Sequence, residues 1–92
     1  MAAEGLIIRP QEDTVAVVTE NVKKGQTVIC KKGEDALEIM ALEDIPIYHK
    51  ISLRDMKRGE KVIKYGQPIG RLLEDVRAGG YIHTHNLGRM EE

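Results

Sequence analysis

The sequence predicts a small all-β domain of short strands joined by Gly-containing turns, and three observations carry that prediction. A turn pattern recurs four times along the 92 residues, runs rich in Val, Ile and Thr stand between the copies, and the only aromatic residues are Tyr48, Tyr65 and Tyr81. Without Phe or Trp, the core must be assembled from Val, Ile, Leu and Met, and branched side chains of that kind suit a pleated surface.

The repeated pattern reads Asn or Asp, an aliphatic, two variable residues, usually Gly, two more residues, then Val or Ile. Its copies start at Asn21, Asp44, Asp55 and Asp75 and end at Val28, Ile51, Val62 and Ile82. Their separations are irregular, which excludes a stacked repeat array. In one copy the Asn or Asp is expected to bond backbone amides two or three residues on, the aliphatic to enter the core, and Gly to supply the positive φ that reverses the chain. Lys23, Lys24, Lys57 and Arg58 precede the Gly positions and read as solvated tip residues. The second copy carries Tyr48 where the others have Gly, so that turn is expected to be strained or differently shaped.

Taken in order, the β-type runs are 14–18, 27–30, 51–53, 61–64 and 81–85, each bounded by turn signals. The apolar residues of 35–43 fit a helical face as well as a strand. Residues 66–70, Gly-Gln-Pro-Ile-Gly, read as a second turn-rich stretch, and 88–92 as a frayed tail. The whole chain, 1–92, is expected to be one domain with its core between 13 and 87, because this length supports a single compact core.

Composition narrows the function. Hydrophobic residues make up 41% and charged residues 32%, too apolar for a disordered chain. Fourteen basic and fifteen acidic residues are interspersed for a net charge of −1, which argues against nucleic acid as a partner, since phosphate binding needs a basic stripe. No apolar run approaches the ~20 residues of a membrane span. Met1 to Gly5 is followed only by Leu6-Ile7-Ile8, too short for a signal-peptide core, so the expected location is the cytoplasm. Cys30, the single cysteine, excludes an internal disulfide and reads as a buried or half-buried side chain.

The residues with chemical capacity gather late in the chain. His83-Thr84-His85, read as strand, places both imidazoles on one face roughly 6.5 to 7 Å apart along the backbone. Two imidazoles so placed can converge on a divalent metal if further ligands are found; an exposed or partner-contacting pair is the plain alternative. His49 is the third candidate, although nothing in the sequence brings it to the same place. Lys50 and Lys64 are candidates for binding a carboxylate, and Tyr65 for bonding an oxygen substituent. Against those roles stand a solvated edge lysine and a tyrosine that simply caps the core. No phosphate loop, nucleophile elbow or Ser/His/Asp arrangement is evident. Asp44, Asp55 and Asp75 are explained by turns rather than acid/base work.

Four blocks carry a resemblance: Asp13-Thr14-Val15-Ala16-Val17; Asp44-Ile45-Pro46 with His49-Lys50; the run from Val62 to Gly70; and Ile82-His83-Thr84-His85-Asn86-Leu87. With them the stretch from Asp13 to Leu87 resembles the SAF-type β-clip domain that begins altronate and galactarate dehydratases and forms the small subunit of related lyases. The family usually has Asn where this chain has Thr14, and Gly where it has Tyr48. The resemblance implies the small subunit of a hydro-lyase, inactive alone, that eliminates water or sulfite from a small hydroxylated carboxylic acid together with a separate large catalytic subunit in an oligomer. It also implies a divalent metal, iron(II) in particular. His83 and His85 would be metal ligands or acid/base groups, and His49, Lys50, Lys64 and Tyr65 would bind substrate. A stand-alone SAF-type module binding a carbohydrate or partner without catalysis is the competing expectation. A self-contained metalloenzyme comes third, since so small a domain encloses little volume.

Overall fold

A computed structural model describes residues 2–7, 11–32 and 34–90. Among them there is no helix, and the all-β expectation holds. The strands are β1 (Ala3–Leu6), β2 (Val15–Val18), β3 (Thr27–Lys32), β4 (Asp35–Met40), β5 (Lys50–Ser52), β6 (Lys61–Lys64), β7 (Gln67–Leu72), β8 (Tyr81–Ile82) and β9 (Leu87–Gly88). Six form one sheet in the order β4-β3-β1-β2-β5-β8, and three form a second in the order β6-β7-β9. All pairings are antiparallel except β1 with β3.

Strand β1 was not anticipated. It is wedged between β2 and β3, with Ala3 and Gly5 buried while Glu4 and Leu6 face out. At the ambiguous segment 35–43, β4 pairs with β3 over six residues, from Thr27 opposite Met40 to Lys32 opposite Asp35. The free edge of β3 settles it as strand, because only Ile39 of β4 is buried and a single buried residue does not make a helical core face. Of the stretch 66–70 only Gly66 is turn and 67–70 is corrected to strand: β7 starts at Gln67, and the reversal is confined to Tyr65 and Gly66 at φ 54° and 77°. Two positive φ values in a two-residue loop match the right-handed twist of the flanking strands. Pro68 is tolerated because the β6–β7 register shifts between Val62 and Ile63. Gly88, expected to be frayed, is paired with Arg71 in β9, whereas Glu91 and Glu92 lie outside the described residues, as does Ile8.

The four turn copies combine in two pairs. Val22 bridges Ile45, and Met56 bridges Val76. In the first pair Asn21 Oδ1 accepts from Ile47 N at 2.9 Å and Asp44 Oδ1 accepts from Lys24 N at 2.8 Å. The second repeats this: Asp55 Oδ1 accepts from Ala78 N at 2.9 Å and Asp75 Oδ1 from Arg58 N at 2.8 Å. The expectation that each Asp or Asn bonds its own loop is thereby corrected. Each caps the fourth residue of the partner loop, so neither loop is satisfied alone.

Two apolar clusters result, with β2, β5 and β8 as the wall between them. Ala16, Val18 and Ile51 point into a cluster with Val28 and Cys30. Val15 and Ile82 point into the other with Val62 and Leu72. All four residues of β2 are buried for this reason. Ile51 and Ile82 are wholly enclosed, each worth about 1.5–3 kcal/mol of burial.

Candidate functional site

The register between β5 and β8 assembles the site. Lys50 lies opposite Ile82 and Ile51 opposite Tyr81. Continuing that register one residue beyond Lys50 and Ile82 brings His49 up against His83, whose ring centroids are 4.4 Å apart. Pairing of two remote turns therefore does what no sequence signal indicated.

His83-Thr84-His85 is not a strand. β8 ends at Ile82, and residues 83–86 turn around the buried Asn86. Asn86 Oδ1 accepts from His83 N at 2.9 Å, its Nδ2 donates to Tyr81 O at 2.8 Å, and its own N donates to His83 O at 3.1 Å. An amide side chain satisfied on both ends in this way folds the segment more tightly than a continuing ladder would. The alternation that was to put both imidazoles on one strand face is lost. They meet instead on one ring: Tyr81 stacks on His83 at 5.7 Å and 12°, and lies 5.3 Å from His85 at 52°.

Tyr81 is the residue that sequence reasoning missed. Its hydroxyl is 2.6 Å from His49 Nδ1, so all three imidazoles touch it. A signal was available, since Tyr81, His83 and His85 alternate and Tyr81 opens the last turn's strand. Its phenol pKa is raised by burial and then by the Glu43 carboxylate, whose Oε2 accepts from Tyr81 N at 3.0 Å. The His83 pKa is lowered, first by desolvation and then by the neighbouring His49, Lys50 and His85.

Lys50 is half-buried and borders the same corner. Burial, then the Lys64 ammonium, pull its pKa below the ordinary lysine value. Lys64 in turn lies 5.2 Å from the centre of the Tyr65 ring, a cation–π contact. Tyr65 joins the corner only through Lys64. Its hairpin is anchored by Asp13, whose Oδ1 accepts from Gly66 N at 2.7 Å, and by Thr14, whose Oγ1 accepts from Ile63 N at 2.9 Å beside the register shift. Thr14, the departure from the usual Asn, thus has a defined structural task. The ion pair among the described residues is Arg54 with Glu60, so neither lysine has a carboxylate partner there.

The corner carries three imidazoles and two ammonium groups on an open surface. Such a surface can hold an anion with two or more oxygens. It does not by itself fit a metal: among the described residues no three of His, Cys, Asp and Glu are grouped to hold an ion. His49 Nδ1 is also already engaged by a phenol. Surface depressions of about 300 Å³ and about 490 Å³ are lined by residues such as Asp55 with Arg77, and Gly25 with Glu38, and none of the corner residues lines either. Cys30 takes no part; it is fully buried, and burial pushes its pKa to about 11.

Comparison with known proteins matches residues 4–90 to the altronate/galactarate dehydratase SAF domain. The chain is similar to the alpha subunit of (2R)-sulfolactate sulfo-lyase from Chromohalobacter salexigens, 34% identical over 84 residues that cover 88% of this chain and 89% of that one. The same subunit from Paracoccus pantotrophus is 48% identical over 48 residues, covering 52% of this chain and 72% of its own. Altronate dehydratase of Escherichia coli is 38% identical over 74 residues, which are 80% of this chain but only 14% of that enzyme.

Proposed function

Because the chain belongs to the altronate/galactarate dehydratase SAF-domain family, we propose that it is the small subunit of a lyase that removes water or sulfite from a hydroxylated carboxylic acid. The observation that carries this reading is the corner itself. Three imidazoles and Lys50 come together where β5 meets β8, with Lys64 at the end of β6 close enough to act on Lys50, and among the described residues neither lysine has a carboxylate partner. A large catalytic subunit closes over that corner and supplies the missing walls, which accounts for cationic side chains held partly out of water on so small a chain. The two sulfo-lyase relatives are themselves named as alpha subunits.

Within that assembly the chain's own residues have distinct tasks. Lys50 and Lys64 hold the substrate carboxylate; burial first and their mutual repulsion second lower the Lys50 pKa, and an anion bound at both relieves the repulsion. Tyr65 braces Lys64 through its ring. Elimination beside a carboxylate builds enolate-like negative charge, and fixed donors aimed at that charge lower the barrier. His49, His83 and His85 are those donors, with His83 the one whose environment keeps it neutral to lower pH than usual. A divalent ion such as iron(II) would need the large subunit's ligands, since this chain offers no three-donor set among its described residues.

The test is to purify the tagged chain anaerobically from its native organism with divalent metal present, and to assay it on sugar acids and sulfolactate. A stoichiometric larger chain with lyase activity is expected. A lone, inactive chain would overturn the reading, and normal turnover of the assembled enzyme after replacing both His83 and His85 by Ala would overturn the roles given to those imidazoles.

A further inference from the structure

We infer that Tyr81 is a positioning residue that sets the working form of His49, its phenol donating to Nδ1 so that Nε2 carries the ring's proton as a fixed donor to substrate oxygen. The identity of that substrate rests on the lyase-subunit reading above; the assignment of the proton does not.

The argument starts with how firmly Tyr81 is held. Its N donates to Glu43 Oε2 at 3.0 Å, its O accepts from Asn86 Nδ2 at 2.8 Å, and it pairs with Ile51 across β5. Its ring is flanked by His83 and His85, so it cannot swing without displacing both. The hydroxyl is thus delivered to one point, 2.6 Å from His49 Nδ1. His49 is held from its own side, since His49 N donates to Pro46 O at 3.0 Å and His49 O accepts from Val18 N at 3.0 Å.

The direction of the bond follows from the chemistry of the two groups. A phenol carries its proton near neutral pH and its hydrogen seeks an acceptor, and among the described residues the hydroxyl is delivered 2.6 Å from the Nδ1 lone pair of His49. In a neutral imidazole one nitrogen donates and the other accepts, and the bond at one decides the state of the other. Nδ1 accepting leaves the hydrogen on Nε2. A donor prepared in this way needs no reorganisation when charge develops on a substrate oxygen, and donors of that kind are worth roughly a hundredfold in turnover.

The experiment compares the full chain with its Tyr81→Phe variant, which keeps the ring contacts and removes the hydroxyl. Imidazole nitrogen NMR at pH 8 should show His49 of the parent chain as a single Nε2–H tautomer, and a tautomer mixture in the variant with an essentially unchanged urea midpoint. In the assembled lyase the variant should lose roughly ten- to a hundredfold in kcat with KM little changed. An Nδ1–H tautomer in the parent chain, or identical spectra in the two proteins, overturns the assignment. Altered spectra with unaltered kcat overturn the catalytic use of the donor. If no lyase assembles but the spectra behave as expected, the lyase-subunit reading fails while the Tyr81–His49 assignment stands.

Discussion

The turn at Tyr48 and the turn at Gly79 share one hydrogen-bond pattern but tolerate opposite side chains. In both, the fifth residue has positive φ, 67° and 91°, and its N donates to a neighbouring strand, to Val18 O and Ser52 O respectively, each at 2.8 Å. In both, the next N closes the turn, His49 on Pro46 O and Gly80 on Arg77 O. A side chain at 48 stands 71% exposed, whereas a Cβ at 79 would run into the Met40 carbonyl. The backbone twist alone is therefore survivable, at about 1 kcal/mol for a residue other than Gly. What decides whether Gly is required is the packing around the turn. At the turns of Gly25 and Gly59 a Cβ would meet nothing within 4 Å, which places them with Tyr48 in tolerance.

The largest expected effect breaks the close-packed member. Gly79→Ala combines a forbidden approach to Met40 O with positive φ, and should lower stability by about 3 kcal/mol or more in urea denaturation, whereas Gly25→Ala and Gly59→Ala should each cost about 1 kcal/mol. Equal losses at all three positions would show that φ, not packing, governs the turns. Next come the reciprocal caps. Asp55→Ala removes the acceptor of Ala78 N and should cost about 1–2 kcal/mol. Because the cap crosses between loops, hydrogen exchange should speed up at residues 76–80 as well as at 56–60; acceleration confined to 56–60 would refute the cross-loop pairing.

A smaller change has the opposite sign. Tyr48→Gly relieves the positive φ of an exposed side chain and should raise stability by about 0.5–1 kcal/mol, measured by the same denaturation. A loss instead would mean that the Tyr48 side chain has a stabilising contact within the fold. The smallest effect lies away from the turns, at Cys30. Its pKa is about 11 in the fold against an ordinary 9.0, so the unfolded chain gives up the thiol proton first, and the Cys30 contribution to stability should be intact below pH 9 and fade as pH rises toward 11. Cys30→Ala should flatten that decline, and the native thiol should resist alkylation at pH 8.

Much of this architecture was legible because local chemistry and fold agree. The run Lys61–Lys64 is strand as read, and the Gly turns reverse the chain where expected. The misreadings have a common cause. Gly and Pro content reads 66–70 as a turn, yet the reversal stops at Tyr65-Gly66 and a register shift accommodates Pro68 within β7. Composition reads 83–85 as strand, but Asn86 competes for the backbone and wins with three bonds. Of the candidate site residues, His49, Lys50, Lys64, His83 and His85 are brought to one corner. Tyr65 reaches it only through Lys64, and Tyr81 at its centre was unread.

The sequence by itself determined the all-β class, the positions of the reversals and the types of side chain available for chemistry, because strand preference, turn preference and titratable character belong to single residues and their near neighbours. Tertiary structure alone decided that Asn21 serves Ile47, that Asp55 serves Ala78, and that His49 meets His83 around Tyr81. Those contacts join residues 26, 23, 34 and 32 positions apart in the chain, counted from 21 to 47, 55 to 78, 49 to 83 and 49 to 81. Partners at such distances are chosen by which strands share a sheet and in what register, and neither spacing nor composition carries that choice.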